Sequence, residues 1–409
     1  YGNLSSYMDS YFQFACSPQC MDGDSQWILG LCVAMNCPGT LVTSYVANKV
    51  GLKMTGVMSA ILVNVSLFAA AWSMKVSVFG TTILMGVMVG LVQGITSVVV
   101  YQYVYGWAAD RSSLFIATSV GASTLLSLVQ NQVITFIVNP YNLKPDAIRG
   151  SRAFFSQPEL LERVPAAVFS YAAITAGLQL VGYLLLARRS SALLPPLSFS
   201  NEPQEKEGEP DEVKQISLTP SQALKTPTFY AAFLFGIVTQ YSLLLKANFY
   251  KQFALLFIPD DRFLTLVGTF IPVVAASSRM SVGAALSARL ITIKTACILS
   301  LSVNSVLCAF WYIVPQVDAV LYMFLVLSLA LVQSMFFVIA PVVTLQNFGP
   351  EHFSTIYGLL MFSFAVVGLI SPAVIPRLIH FLGWFGLFAS ASLMCLVTLL
   401  VVVCTDFKP

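Results

Sequence analysis

The chain has 409 residues, of which 57% are hydrophobic and 10% are charged, and its mean hydropathy is +0.81. Soluble domains carry about 25% charged residues, so this composition excludes a soluble globular protein and indicates a protein embedded in a lipid bilayer. The net charge of +3 is too small to indicate a nucleic-acid-binding protein.

Apolar runs of about twenty residues, the length that crosses a bilayer as a helix, recur along the chain with short polar joints. They predict an all-α membrane protein with twelve spans. The first run, 1–14, is short and begins with Tyr1 rather than methionine, so we interpret this span as truncated. The other runs of the first half lie near 26–47, 54–73, 81–107, 112–138 and 166–187. Those of the second half lie near 229–246, 263–287, 295–314, 319–343, 354–374 and 384–403.

A segment of different composition, 188–228, separates the two sets of spans. Its central part, NEPQEKEGEPDEVK, cannot bury enough apolar surface to offset the entropy lost on ordering. We therefore predict a six-helix bundle at 1–187, a linker that is mobile from about 201 to 215, and a second six-helix bundle at 229–409. This outline is typical of secondary transporters built from two bundles.

Loops on the linker side of the predicted bundles hold more Lys and Arg than loops on the other side. Because positively charged loops tend to stay in the cytosol, the linker is predicted to be cytosolic. In this count Lys246 and Lys251 are assigned to a loop on the opposite side. Both the plasma membrane and an organelle membrane fit the pattern.

One arginine, Arg279, lies inside the eighth predicted span with no acidic residue within two helical turns. A cation at that depth costs roughly 3 kcal/mol on insertion scales, so it usually faces a water-filled cavity or a partner. Ala275 and Gly283, one turn away on the same face, are small and are expected to leave room beside the guanidinium. Because a planar guanidinium matches a carboxylate, we interpret Arg279 as an anion-binding residue near mid-membrane. The alternative is a structural arginine that donates to carbonyl groups of a broken helix.

Polar and aromatic side chains in other spans are candidates to line the same cavity. They are Asn3, Tyr7, Tyr101, Gln102, Gln130 and Asn131 in the first half, and Gln240, Tyr241, Asn304, Gln333, Phe336 and Tyr357 in the second. Each has an alternative role in interhelical hydrogen bonding or packing, worth about 0.6 kcal/mol on average. Gly86, Gly90 and Gly94 form a small-residue stripe in the fourth span, which close helix packing explains better than ligand contact.

The other titratable residues supply no obvious proton carrier within the spans. Asp9 lies near the outer end of the first span, where we expect a solvated carboxylate, with a titrating one as the alternative. His352 and His380 are predicted to lie in connecting loops. Cys16 and Cys20 lie in a polar loop, either as a disulfide or as two free thiols, and the absence of a nearby histidine argues against a zinc site.

Five stretches stand out in chain order: GNLSSYMDSY, FIVNPYN, LERVPAAVFSY, FYKQFALLFIPDDRFL, and FFVIAPVVTLQNFGP followed by YGLL. Together they resemble the major facilitator superfamily, and within it the branch of oxalate/formate antiporter-like proteins and monocarboxylate porters. The resemblance implies the major facilitator fold, with two six-helix bundles around a central cavity. The resemblance also implies that Arg279, followed one turn later by Gly283, corresponds to the eighth-span arginine that binds substrate carboxylate in this branch.

The chain departs from the patterns of this family at several positions. Asn48 stands where the superfamily normally has an aspartate in the loop after the second span, and the equivalent loop after the eighth span also lacks an acid. Oxalate carriers have an eleventh-span lysine where this chain has Phe364, and proton-coupled monocarboxylate carriers have an aspartate where it has Ala275. Two fixed cations suit a dicarboxylate, whereas Arg279 alone suits a monocarboxylate or a zwitterion.

The resulting prediction is a secondary transporter for a small monocarboxylate such as formate, lactate or pyruvate. Arg279 binds the carboxylate, and Phe364 contacts the apolar end of the substrate. Another small organic anion or an amino acid is the alternative cargo, and a transporter-like sensor that does not cycle is the alternative function. Proton co-transport, exchange and facilitated diffusion all stay open. No metal-ligand cluster, Ser-His-Asp set or phosphate loop in the sequence points to an enzyme, and we expect a monomer without cofactors.

Overall fold

Long helices make up most of the part of the chain that the structure describes. The computed structural model describes residues 2–15, 25–107, 111–149, 152–189, 217–258 and 260–407. Within these ranges, 10 helices are long and apolar enough to cross a membrane. The all-α membrane fold predicted from the apolar runs is confirmed.

The described part of the first half consists of helices and one small hairpin. The helices are α1 (Gly2–Phe14), α2 (Gln26–Val50), α3 (Leu52–Ser73), α4 (Val78–Thr82), α5 (Val89–Trp107), α6 (Ser112–Val138), α7 (Pro158–Leu161) and α8 (Val164–Arg189). A π-helical segment, Ile83–Met88, joins α4 to α5, so the fourth predicted span is continuous. Strands β1 (Ala147–Arg149) and β2 (Arg152–Phe154) pair antiparallel in the loop before α7.

The second half is organised in the same way, by long helices with short connections. The helices are α9 (Pro220–Ala223), α10 (Pro227–Ala254), α11 (Asp261–Ser287), α12 (Ile293–Phe310), α13 (Val314–Val317), α14 (Ala319–Ser334), α15 (Phe336–Val343) and α16 (Phe353–Cys404). α16 contains the eleventh and twelfth predicted spans, which meet at Gly383, where φ is 66°. A positive φ favours glycine, so the residue type suits the bend. His380, expected in a loop, lies in the helical part of α16.

Side-chain caps set where the long helices of the second half begin. The Thr226 hydroxyl and the Asp260 carboxylate accept from backbone N–H groups in the first turns of α10 and α11, at 3.3 and 3.1 Å. Thr292 and Asp318 cap α12 and α14 in the same way. These side chains satisfy N–H groups that have no partner within their own helix, so each span starts at a defined residue.

The small-residue stripe of the fourth span packs against α2. A Cβ on Gly90 would lie 2.2 Å from the carbonyl oxygen of Cys32, and one on Gly94 would lie 2.1 Å from that of Asn36. Contacts this close leave no space for a larger side chain, so the stripe serves helix packing, as the sequence indicated.

The two halves contact each other most extensively along two pairs of helices. α2 packs on α16, where a Cβ on Gly30 would lie 2.5 Å from the Gly368 carbonyl oxygen. α6 packs on α11, where a Cβ on Gly283 would lie 2.3 Å from the Ala117 Cβ. The expectation that Gly283 leaves open room beside Arg279 is therefore wrong, because α6 occupies that space.

We call the end where α8 stops and α10 begins the linker end, and the end where α10 stops and α11 begins the far end.

The outer surface of the helices is apolar. Trp72, Phe79 and Phe136, for example, are 73%, 75% and 77% exposed. Large exposed apolar patches are rare on monomeric soluble proteins, and in a chain of membrane-length helices they form the surface that meets lipid.

Three charged residues are more buried than the sequence indicated. Lys246 and Lys251, assigned to a loop, lie in α10 and are 7% and 1% exposed. Asp9, expected to be a solvated carboxylate, is 3% exposed. The seventh predicted span ended too early because charged residues lower the average hydropathy even where neighbouring helices bury them. Without the two lysines, the far-end loops carry still less positive charge, which favours the predicted orientation.

Two predictions fall on residues outside the described ranges. The segment predicted to be mobile, 201–215, lies within 190–216, and Cys16 and Cys20 lie within 16–24. The domain boundaries at 187 and 229 remain predictions.

Candidate functional site

Arg279 lies in the interior, at the contact between the two halves. It is 8% exposed, and its Nη1 donates to the Val120 carbonyl oxygen at 3.1 Å and to the Thr124 hydroxyl, both in α6. Its guanidinium carbon lies 4.6 Å from the centroid of the Phe337 ring in α15, within range of a cation–π interaction. α11 therefore holds this side chain between α6 of the first half and α15 of the second.

One edge of the Arg279 guanidinium has no partner among the residues that the structure describes. Both of its hydrogen bonds use Nη1, and among the described residues Nε has no hydrogen-bond partner and no carboxylate pairs with the side chain. The edge formed by Nε and Nη2 can thus donate two parallel bonds to a planar anion. The bonds of Nη1 match the structural interpretation of Arg279, whereas the unused edge matches the anion-binding one.

Two predicted tyrosines come together near Arg279. Tyr101 in α5 and Tyr357 in α16 are 6% and 3% exposed, share a hydrogen bond, and meet edge to face with ring centroids 5.7 Å apart. Tyr101 also lies within electrostatic range of Arg279. Next to it, the Gln102 amide donates to the Ser354 hydroxyl of α16 at 3.3 Å. These pairs join the two halves near the linker end.

A group of phenylalanines lies on the α15 and α16 side of Arg279. Phe364 stacks on Phe336 with ring centroids 4.8 Å apart and meets Phe337 edge to face at 5.8 Å. Phe364 thus contacts the ring that lies against the Arg279 guanidinium, so the α15 and α16 side of Arg279 is apolar. Sequence reasoning named Phe336 but missed Phe337, because spacing along one helix does not say which of two adjacent rings faces a neighbouring helix.

Two glutamines of the second half are fully enclosed. Gln333 is 0% exposed and donates to the Asn304 amide oxygen at 3.3 Å. Gln240 is 1% exposed, and neither of its amide atoms has a hydrogen-bond partner among the described residues. Tyr241, its neighbour in sequence, instead bonds with the Ser390 hydroxyl at 3.0 Å, within the second half. Gln240 is therefore free to bind a ligand, whereas Tyr241 is engaged in the packing of the second half.

Tyr7 belongs to a separate cluster at the far end. It is 0% exposed, and the Lys251 Nζ lies 5.3 Å from its ring centroid. In the same cluster Asp9 accepts from the Ser25 N–H at 2.7 Å and from the Gln252 amide at 3.4 Å. Because α1 belongs to the first half and α10 to the second, this far-end cluster bonds the halves to each other.

Two further candidates of the first half do not join Arg279 in the described structure. The Gln130 amide donates to the Thr175 hydroxyl at 3.1 Å, which is the interhelical role given as its alternative. Asn3 lies in α1, with a side chain outside the described part of the chain.

Lys246 is a buried cation that sequence reasoning missed. It lies in α10, is 7% exposed and is within electrostatic range of Arg279. Arg279, expected to be the one fixed cation at depth, is therefore not the only basic residue buried there. A signal was present, because Phe249 and Phe253 continue the helical spacing of apolar residues beyond Lys246.

A cleft of about 270 Å³ opens along the contact of α6 and α11 toward the far end. Its lining includes Gln132 and Thr135 of α6, and Arg262 and Thr265 of α11. Arg279 is not part of this lining, so the cleft stops short of the guanidinium.

Comparison with known proteins places this arrangement in a family. A model of the Major Facilitator Superfamily matches residues 2–372, which is most of the chain. No curated protein matches the chain at a significant level. The family match extends from the first half into the eleventh predicted span, and it includes every residue that the sequence predicted to line the site.

Proposed function

The chain belongs to the major facilitator superfamily and is a secondary transporter, and we propose that it carries a small organic anion whose carboxylate binds Arg279. It is a multi-pass integral membrane protein, and its family points to transport rather than catalysis. The observation that carries the proposal is the unused edge of a buried guanidinium at the contact between the halves. A buried cation without an anion is costly, and a carboxylate ligand removes that cost.

The position of Arg279 also links ligand binding to movement. Its Nη1 bonds run from α11 of the second half to Val120 and Thr124 of the first half. In secondary transporters of this architecture the two halves rock against each other around a central site. A carboxylate on Arg279 changes the bonds available to α6, so the ligand favours one arrangement of the halves over the other.

A monocarboxylate such as formate, lactate or pyruvate is the cargo that the sequence predicts. Phe364 supports an apolar end for such a ligand, since one ring separates it from Arg279. Arg279 is not the single buried basic residue that favoured a monocarboxylate, because Lys246 is buried as well. The proposed cargo is therefore a small carboxylate, and the alternative cargo is another organic anion or an amino acid.

Uptake of labelled lactate and labelled succinate into liposomes containing the purified protein tests the proposal. Arg279→Lys should lower uptake by at least about tenfold, because lysine keeps the charge but loses the planar fork that binds a carboxylate with two bonds. Thr124→Val is the matched control, since it removes a bond to Nη1 and leaves the Nε edge intact. Its uptake should fall less than that of Arg279→Lys.

Normal uptake by Arg279→Lys would contradict its role in binding. A wild-type protein whose thermal midpoint rises with carboxylate, but which takes up none, would support the sensor instead. That alternative is motivated by Asn48, which stands where the loop after the second span normally has an aspartate.

A further inference from the structure

Lys246 is a buried charge that its own contacts do not explain. It is 7% exposed, and among the described residues it forms no hydrogen bond and no ion pair. Lys251, on the same helix, is 1% exposed but donates to the Thr265 hydroxyl at 3.5 Å. An unpartnered cation inside a membrane protein is costly to keep and commonly marks a substrate or ion pathway. Lys246 therefore points to a partner that the described part of the chain does not supply.

Lys246 and Arg279 lie at different depths on neighbouring antiparallel helices. The Tyr250 hydroxyl of α10 lies against Gly268 of α11, 2.3 Å from where a Cβ would stand. Lys246 is one turn from this contact and Arg279 is three turns from it, both toward the linker end. At 1.5 Å per residue, their backbones are offset by about 10 Å along the bundle. The two positive charges repel each other across this distance.

An unpartnered amide lies at the depth of Arg279. Gln240 is ten residues and Arg279 eleven residues from the same contact, so the two lie at similar depths along the bundle. Both amide atoms of Gln240 lack a partner among the described residues, as does the Arg279 Nε. Within the described structure, the second half thus holds unpaired polar groups at two depths, those of Lys246 and of Arg279.

We infer that the ligand carries two negative charges, one bound by Arg279 and the other by Lys246. This inference rests on the proposed function, since it starts from a carboxylate on Arg279. A monocarboxylate on Arg279 leaves Lys246 unpaired, whereas a dicarboxylate neutralises both cations. Because the two backbones are about 10 Å apart along the bundle, carboxylates separated by several bonds, as in succinate, fit better than those of oxalate.

Competition for uptake of labelled lactate tests the two-charge site. In liposomes with the wild-type protein, succinate should inhibit at concentrations at least about tenfold lower than unlabelled lactate, because it makes a second charge-assisted bond. Lys246→Gln removes the charge but keeps a polar side chain. It should raise the half-inhibitory concentration of succinate about tenfold and that of lactate less than about threefold.

Two further variants separate charge at this position from charge in general. Lys246→Arg keeps the cation and should retain the preference for succinate. It therefore tests the role of the charge at this position even where Lys246→Gln folds poorly. Lys294→Gln removes a lysine that lies 3.7 Å from Asp406 near the linker end. It should change the half-inhibitory concentration of neither ligand.

A wild-type preference for lactate over succinate would overturn the inference. An equal rise in the half-inhibitory concentrations of both ligands in Lys246→Gln would overturn it as well. These results leave the role of Arg279 intact. If Arg279→Lys also behaves as wild type, the proposed function fails together with the inference, so the two failures are distinguishable.

Discussion

At the far end of the molecule, buried charges have partners within the chain. Asp9 accepts from the Ser25 N–H at 2.7 Å, and Lys251 donates to a threonine hydroxyl of α11 at 3.5 Å. Closer to the middle of the bundle, Lys246 has no hydrogen bond and Arg279 uses only one of its nitrogens among the described residues. Burial does not distinguish the groups, because Lys251 is more buried than Lys246, at 1% against 7% exposed.

The presence of partners separates two uses of buried charge. The far-end cluster bonds α1 to α10, through the Gln252 amide on Asp9, so its charges hold the two halves together. Lys246 and Arg279 are charges for which the described ranges of the chain supply too few partners, so a ligand of opposite charge stabilises the structure that contains them. Three experiments test this comparison, beginning with the largest expected effect.

Replacing each buried lysine of α10 by methionine should change stability in opposite directions. Lys251→Met removes a charged donor and should lower the free energy of unfolding by about 2 kcal/mol. Lys246→Met removes an unpaired cation and should raise it by about 1 to 3 kcal/mol in the absence of ligand. Thermal unfolding of the purified protein without substrate measures both changes.

The control for this pair is Lys294→Met, because Lys294 is 31% exposed and its ion pair with Asp406 is near the surface. Surface pairs of this kind contribute about 1 kcal/mol or less. Destabilisation by Lys246→Met would contradict the distinction between Lys246 and Lys251, since it would mean that Lys246 also has a structural partner.

A smaller loss is expected from Asp9→Asn. The asparagine oxygen still accepts from the Ser25 N–H, but without charge, so the free energy of unfolding should fall by about 1 kcal/mol. Asp318→Asn is the matched control, because Asp318 also accepts a backbone N–H, at 2.8 Å, at the exposed start of α14. Asparagine caps a helix as well as aspartate does, so the control should be neutral. Equal thermal midpoints for the two variants would argue against a stabilising role for the Asp9 charge.

The smallest effect concerns a carboxylate outside the spans, in the loop before α7. Partial burial of Asp146 opposes ionisation, but the Ser156 hydroxyl and N–H donate to its carboxylate at 2.6 and 2.7 Å and lower its pKa below the ordinary 3.8. A lowered pKa stabilises the folded loop at pH values above 3.8, and this contribution is lost as the pH falls through the lowered pKa.

Ser156→Ala removes the hydroxyl donor, so the pKa of Asp146 should rise toward 3.8. An NMR titration of labelled aspartate carboxyl groups from about pH 6 to 2 measures it. Gln157→Ala is the control in the same loop, because the Gln157 amide donates to the Lys144 carbonyl and leaves Asp146 untouched. A pKa that stays low in Ser156→Ala would show that the hydroxyl is not its cause.

The sequence by itself determined the features that depend on neighbouring positions along one helix. A bilayer-crossing segment must satisfy its backbone hydrogen bonds internally, so apolar runs of sufficient length become helices. The glycine stripe at Gly90 and Gly94 was readable for the same reason, since residues four apart share a face. Arg279 was recognisable because its charge stands alone within a span.

Only the tertiary structure decided which charged residues are buried and which of them have partners. Lys246 and Lys251 were misplaced, because average hydropathy treats a charge as the end of a span. Asp9 was expected in a helix but solvated, and it is buried, because burial depends on the helices packed around each side chain. Tyr7 and Tyr101 are of the same type, yet they lie in different clusters. Spacing places a residue on one face of its helix, but the helix that covers that face comes from a distant part of the chain, through contacts that the local pattern does not encode.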